Sequence, residues 1–224
     1  MMRSSSAFPV ISVRGVLFDM DGVLINSIAS DERTWLRWAR FHGMEGTFSL
    51  QDTNGRRTID TLRLLRPDLD QQVELERIEN FEAEEQTEVV ALPGAEQLLA
   101  SLPASAWAVV TSNSEKMMRN RLMAAGIAPP RHFISGDIVA HGKPHPESYR
   151  MAAEILALEP SECLVIEDTP PGIEGGKAAG CSVLAIVSSH SAGDLAEADW
   201  VVPSLDQVTA SFESDGTITI HLSL

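Results

Sequence analysis

Apolar and polar positions change rhythm along this chain. The first apolar run, Val13 and then Gly15-Val16-Leu17-Phe18, is short, rich in β-formers and ends at a polar turn, which predicts a buried strand. Residues 1 to about 12, ahead of it, read as a loose tail. From residue 27 to about 90 the apolar spacing becomes helical. Ser27 is placed to cap a helix that runs to Gly43, with Ile28, Trp35, Leu36, Ala39 and His42 tracing one face. Ile59, Leu62 and Leu65 mark a second helix stopped before Pro67. Val73, Leu75, Ile78 and Phe81 mark a third, inside an acidic stretch from 69 to about 88. No strand signal interrupts this segment.

From Pro93 strands and helices alternate. Helices are predicted at 94–101, 114–125, 146–156 and 173–179, and strands at 107–110, 132–135, 163–166, 182–187 and 200–202. Such alternation defines an α/β fold with a doubly wound parallel sheet. A helical domain, residues 27–90, is inserted after the first strand's loop, and residues 1–26 and 91–224 form the core. The stretch 210–222 differs, because SFE-SDG-TITIHL reads as a β-hairpin around Asp215-Gly216.

Length and composition narrow the class. A chain of 224 residues can bury one sizeable core and a smaller second unit. The formal net charge is −15, with no Lys/Arg cluster to offset it, which argues against a nucleic-acid or membrane partner. A small phosphorylated metabolite can bind only where a metal, a lysine or helix N-termini neutralise the site. Cys163 and Cys181 sit in or beside apolar strands without a CxxC or zinc pattern, so both are expected as buried, reduced thiols. No apolar run approaches a membrane span, and the N-terminus lacks an extended apolar signal region. The expectation is a cytoplasmic monomer.

Candidate chemistry gathers at strand ends, where open parallel sheets bind ligands. Asp19 and Asp21 follow the first strand. A carboxylate there can attack phosphorus or hold Mg²⁺, and a second acid can protonate a leaving alkoxide. The same pair can also simply cap a turn. Ser112 and Asn113 follow WAVVT, and can hold a phosphate oxygen with the amides that open the next helix, or act as ordinary caps. Lys143 lies in HGKPHPE, its backbone fixed by Pro144 and Pro146. It can pair with a carboxylate and a phosphate, or be a solvated surface charge. His141 and His145 are read as loop residues, because Mg²⁺ prefers oxygen. Glu167 and Asp168 follow CLVI and suit a divalent ion.

In order, Asp19-Met20-Asp21-Gly22-Val23-Leu24, Thr111-Ser112, Lys143-Pro144 and Glu167-Asp168 resemble the four motifs of the haloacid dehalogenase (HAD) superfamily. The helical insert resembles that superfamily's C1 cap, on a Rossmann-like core, and the likeness spans roughly residues 13–205. The spellings GKPHPE and EDTPPGIEGGKAAGC resemble the sugar-phosphate and glycerol-phosphate phosphatase branch, of the β-phosphoglucomutase-like subgroup. Asp21 speaks against the dehalogenase branch, which lacks the second acid. The resemblance implies that Asp19 is the nucleophile and a Mg²⁺ ligand. Asp21 would be the general acid/base and lend its backbone carbonyl to the metal. Ser112 and Asn113 would bind the phosphoryl group, and Lys143 would steady the charge on Asp19 and on phosphoryl oxygens. Asp168 would ligate the metal, with Glu167 beside it directly or through water.

The activity so implied is Mg²⁺-dependent hydrolysis of a hexose, deoxyhexose or polyol phosphate. Asn54, Arg56 and Arg57 are the candidates for reading the substrate, although an arginine at a seam between cap and core can equally be an ordinary ion pair. The first rival is a sugar phosphomutase sharing these motifs. A signalling receiver domain also places acids and a lysine at strand ends, but gives no reason for a cap of this size.

Overall fold

Apolar runs without alternation must bury both faces of a strand, and GVLF, WAVV, CLVI and SVLAI do so here. The computed structural model describes residues 10–46, 48, 56–85 and 88–223. In chain order the elements begin with β1 (Val10–Val13), β2 (Gly15–Phe18), β3 (Ile25–Asn26), α1 (Ile28–Phe41), α2 (Thr58–Leu65) and α3 (Gln71–Glu84). Next come β4 (Val90–Ala91), α4 (Ala95–Ser101), β5 (Trp107–Val110), α5 (Glu115–Ala124), β6 (Phe133–Ile134) and α6 (Glu147–Ile155). The chain closes with β7 (Cys163–Glu167), α7 (Pro170–Ala179), β8 (Ser182–Ile186), β9 (Trp200–Val202), β10 (Val208–Phe212) and β11 (Ile218–Leu222).

Six strands form one parallel sheet in the order β6-β5-β2-β7-β8-β9. Alternate side chains divide between its faces. Val16, Phe18, Val109, Leu164, Ile166 and Leu184 enter one core cluster. Leu17, Ala108, Val110, Val165 and Val183 enter the other, under α6 and α7. The strand β2, which leads to Asp19, is central, with β5 and β7 on either side.

Helix ends follow local chemistry. Ser114 caps α5 by accepting from the Met117 amide, and Thr169 caps α7 by accepting from the Gly172 amide. Pro170 starts α7 and left-handed Gly180 ends it. Ser27 departs from expectation. It sits at the cap position of α1 without a side-chain cap bond, and its hydroxyl donates to Asp21 Oδ1 at 2.5 Å instead.

Two further expectations change. Residues 10–13 are not tail but β1, paired antiparallel to β11. The predicted hairpin is present as β10 and β11, and β1 completes a three-stranded sheet in which β11 is central. The reason is burial. Ile11, Val13, Ile218, Ile220 and Leu222 enter the same core cluster as the parallel sheet. The helical stretch is also bounded by two short strands that the spacing does not announce, since β4 pairs antiparallel with β3 at its two ends. This ribbon joins both ends of the inserted helices to the sheet. The inserted helices bury Trp35, Trp38, Ala39, Leu62 and Ile78 in a cluster of their own. Trp38 Nε1 donates to Glu74 Oε2 at 2.8 Å within it. Among the described residues no helix is long and apolar enough to cross a membrane.

If the terminal sheet belongs to the core, Ile220→Ala will act as a core deletion and destabilise by about 2–5 kcal/mol. The shift of the urea midpoint measures this, and a loss below about 0.5 kcal/mol would show the sheet to be an appendage.

Candidate active site

The carboxyl ends of three adjacent parallel strands bring the acids together. Asp19 follows β2, Thr111 and Ser112 follow β5, Glu167 ends β7 and Asp168 follows it. Lys143 arrives from the loop between β6 and α6. A cavity of about 130 Å³ opens at this edge, lined by Asp19, Asp21, Ser112, Asn113, Lys143 and Asp168 from the core side. Thr34, Trp35, Thr58 and Ile78 line it from the inserted helices, and Arg56 from the chain just before α2.

Lys143 is the centre of the charge balance. Its Nζ lies 2.5 Å from Asp19 Oδ1 and 2.7 Å from Glu167 Oε1, and also donates to the Val110 carbonyl at 3.2 Å. Burial alone would lower this ammonium, but the facing carboxylates outweigh it and raise it. The two acids respond differently. Burial lifts the Asp19 carboxyl well above the usual range despite Lys143, and Glu167 and Asp168 add to the lift. Burial also opposes ionisation of Glu167, yet Lys143, Tyr149 and Thr169 hold it below its ordinary value. Donor number explains the split. Glu167 Oε1 accepts from Lys143 and from the Tyr149 hydroxyl at 2.6 Å. Its Oε2 accepts from the amides of Asp168 and Thr169 and from Thr169 Oγ1.

Asp168 is held by Ser188 and Ser189 through Oδ2, while its Oδ1 is buried and has no hydrogen-bond partner among the described residues. Burial, then repulsion from Glu167, pushes its carboxyl up to about 7. Asp19, Glu167 and Asp168 offer oxygens all within 4.8 Å of one another. An oxygen-only acidic set with one orphaned buried oxygen fits a hard divalent cation. Glu167 is the weakest candidate for direct ligation, because both of its oxygens are engaged by protein donors. Two glycines make room for these acids. A Cβ on Gly22, whose φ is +81°, would fall 1.9 Å from Asp168 Oδ2. One on Gly172 would fall 1.8 Å from Glu167 Oε1.

Asp21 is bound from both parts of the molecule. Oδ1 accepts from Ser27 and, at 2.6 Å, from Arg121 Nη1, and Oδ2 accepts from Asn113 Nδ2 at 2.6 Å. Asn113 lines the cavity, but its amide is engaged with Asp21. Arg121, on α5, is fully buried and escaped the sequence reading. It pairs with Asp21, with Asp31 of α1 and, at 2.9 Å, with Glu82 of α3. Burial would lower its guanidinium, but the three acids raise it. The only signal in the sequence was an arginine on the inward stripe of α5, beside Met117, Met118 and Leu122. Its partners are 39 to 100 residues distant. Tyr149, Ser188 and Ser189 were missed for the same reason.

The three substrate candidates separate. Arg56 lines the cavity. Arg57 does not. It is buried at the seam between the inserted helices and the core, donating to the Val139 carbonyl at 2.7 Å and to Asp60 at 2.6 Å. It forms the ordinary seam pairing that its position allowed. Asn54 lies outside the described residues.

A parallel sheet with a lysine–carboxylate centre at its carboxyl edge, roofed by helices inserted after the first strand, is the architecture of a hydrolase class. The family model for haloacid dehalogenase-like hydrolases matches residues 13–180, and the chain belongs to that family. It is 39% identical to hexitol phosphatase A of Escherichia coli (strain K12), over 93% of this chain and 99% of that protein. It is 31% identical to 2-deoxyglucose-6-phosphate phosphatase 2 of Saccharomyces cerevisiae, over 96% of this chain and 97% of that one. The β-phosphoglucomutase structure from Clostridium difficile superposes with a TM-score of 0.75 at 22% identity, covering 87% of this chain and 92% of that one.

Removing the Arg121 charge leaves buried acids without their cation. Arg121→Met is expected to destabilise by about 3–5 kcal/mol, read as a fall in the urea midpoint at neutral pH. A change under about 1 kcal/mol would mean that the buried pairs contribute little.

Proposed function

We propose that this protein is a phosphoric monoester hydrolase acting on small sugar or polyol phosphates with Mg²⁺, through a phosphorylated Asp19. The observation that carries this reading is the buried Asp19 oxygen 2.5 Å from Lys143 Nζ, in a cavity that also receives Asp21, Ser112 and Asp168. The names of full-length relatives, phosphatases of hexitol and 2-deoxyglucose phosphates, support the substrate class.

In this reading Asp19 attacks phosphorus and the P–O bond to the sugar breaks. Asp21, in its acid form, gives its proton to the departing alkoxide. It then takes a proton from the water that attacks the aspartyl-phosphate, which returns Asp19 and releases phosphate. Lys143 neutralises charge on Asp19 and on the phosphoryl oxygens, and Ser112 with the amides at the start of α5 holds those oxygens. Mg²⁺ would be held by Asp19, Asp168 and the Asp21 backbone carbonyl, with Glu167 behind them fixing Lys143. Bound there, it supplies positive charge to the phosphoryl oxygens and favours the ionised form of Asp19. Residues 27–90 act as a cap that excludes water and selects the alcohol portion. Arg56 is the cap residue assigned to reading the substrate. Buried, unpaired Cys163 and Cys181 fit a reducing cytoplasmic setting.

Phosphate release across a panel of hexose, deoxyhexose and polyol phosphates tests the reading. Release is expected with Mg²⁺, none with EDTA, and none from Asp19→Asn. Mg²⁺ should also raise the thermal midpoint of the chelated wild type, and raise it less in Asp168→Asn. No release, together with interconversion of a sugar phosphate once a bisphosphate is added, would replace hydrolysis by the mutase reaction. Arg56→Ala is expected to reorder the preferences among the phosphates, about tenfold for the best substrate. An unchanged ranking by kcat/KM would remove Arg56 from substrate selection.

A further inference from the structure

The loop that delivers Lys143 carries a second cluster on its outer side. His141 and His145 flank Lys143 at two residues' distance, and Glu147 opens α6. The imidazole rings lie 4.5 Å apart at a tilt of 35°. Glu147 Oε2 is 2.9 Å from His141 Nδ1 and 3.8 Å from His145 Nδ1. One ligand atom from each of the three residues lies within 4.8 Å of the other two.

Those separations suit a metal of a particular kind. Nitrogen and oxygen ligands at about 2.0–2.1 Å from a tetrahedral ion stand about 3.3 Å apart. The observed 2.9 and 3.8 Å lie on either side of that value. Shifts of about half an ångström, within the reach of exposed side chains, bring each imidazole to that distance from the carboxylate, and the two ring nitrogens, which start within 4.8 Å of each other, rotate to the same spacing. Two imidazoles and one carboxylate select a borderline transition cation, whereas the all-oxygen cluster inside the cavity selects a hard one. His141 and His145 remain poor ligands for Mg²⁺, and that judgement does not extend to Zn²⁺. The carboxylate is already fixed. Glu147 Oε1 accepts from the Ala140 amide at 2.8 Å and Oε2 from the His141 amide at 3.0 Å. These bonds and the His141 ring hold its carboxyl down at about 2. The side chains of His141 and His145 are 65% and 48% exposed, which leaves an ion an open approach.

We propose that His141, His145 and Glu147 form a second metal site, which takes Zn²⁺ or a similar borderline divalent cation and fastens the Lys143 loop to the start of α6. The cation replaces the proton shared between His141 Nδ1 and Glu147 Oε2, and that proton leaves to solvent. Ligation by His145 Nδ1 gives up the bond it accepts from the Glu147 amide, which is long at 3.3 Å. Solvent water completes the coordination. The proposal does not depend on the reaction catalysed in the cavity.

Calorimetric titration of the full chain with Zn²⁺, in excess Mg²⁺ to occupy the acidic cluster, tests it. Wild type is expected to bind one Zn²⁺ at this site. His141→Ala and His145→Ala should each weaken that binding about tenfold or more, and Glu147→Gln should weaken it also. His141 and His145 are exposed and Glu147 is partly buried, and unchanged far-UV circular dichroism checks the folding of all three variants. Zn²⁺ should raise the thermal midpoint of wild type and not of the histidine variants. Co²⁺ should give a tetrahedral visible absorption band that the histidine variants lose. No Zn²⁺ binding by wild type would overturn the proposal. So would heats, thermal shifts and Co²⁺ spectra that are the same in the histidine variants, since the ion would then be in the acidic cluster.

Discussion

The structure is governed by the need to keep several carboxylates side by side at one edge of a buried sheet. Asp19, Asp21, Glu167 and Asp168 converge there, and uncompensated negative charge at that density is prohibitively costly when desolvated. Two buried cations offset it. Lys143 bridges Asp19 and Glu167, and Arg121 bridges Asp21, Asp31 and Glu82. The residual charge falls on the Asp19–Asp168 side, where both carboxyls are pushed up and one Asp168 oxygen lacks a partner among the described residues. That imbalance is the physical argument for a hard divalent cation at this edge.

The same two cations divide the site by function. Glu167, Tyr149 and the Val110 carbonyl hold Lys143 without involving the inserted helices. Arg121, by contrast, ties an acid of the core to one acid from α1 and one from α3. One guanidinium therefore couples the position of Asp21 to the seating of the helices over the cavity, beside the Arg57 bond to the Val139 carbonyl at the same seam. The narrow ribbon β3–β4 is the only strand pairing between the ends of the insert among the described residues, so Arg121 supplies restraint that the backbone does not.

Much of this was legible in the sequence. The apolar run Trp107–Val110 matches its strand residue for residue, because a fully buried parallel strand is an unbroken apolar run. Asp19, Ser112, Lys143 and Asp168 were expected at one edge and the structure brings them there, because their positions follow from strand ends and the rules of parallel sheets. Partners far apart in sequence were not legible. Nothing near Arg121 announces Asp21, Asp31 or Glu82. Nothing near Arg57 announces the Val139 carbonyl that takes it out of the cavity. Nor could spacing tell that Ser27 serves Asp21 rather than its own helix. Nor does anything near β1 announce a strand, because its partner β11 lies about two hundred residues further along the chain.

That last pairing has a kinetic side. Val13 stands opposite Ile218, roughly two hundred residues later. During synthesis β1 leaves the ribosome about two hundred residues ahead of its template β11. The parallel sheet can assemble from neighbours in the meantime, while Ile11 and Val13 wait without a partner strand. The β1-β11-β10 sheet is thus a clasp that closes only once β11 has been made, and until then the apolar face of β1 is a segment for a chaperone to hold.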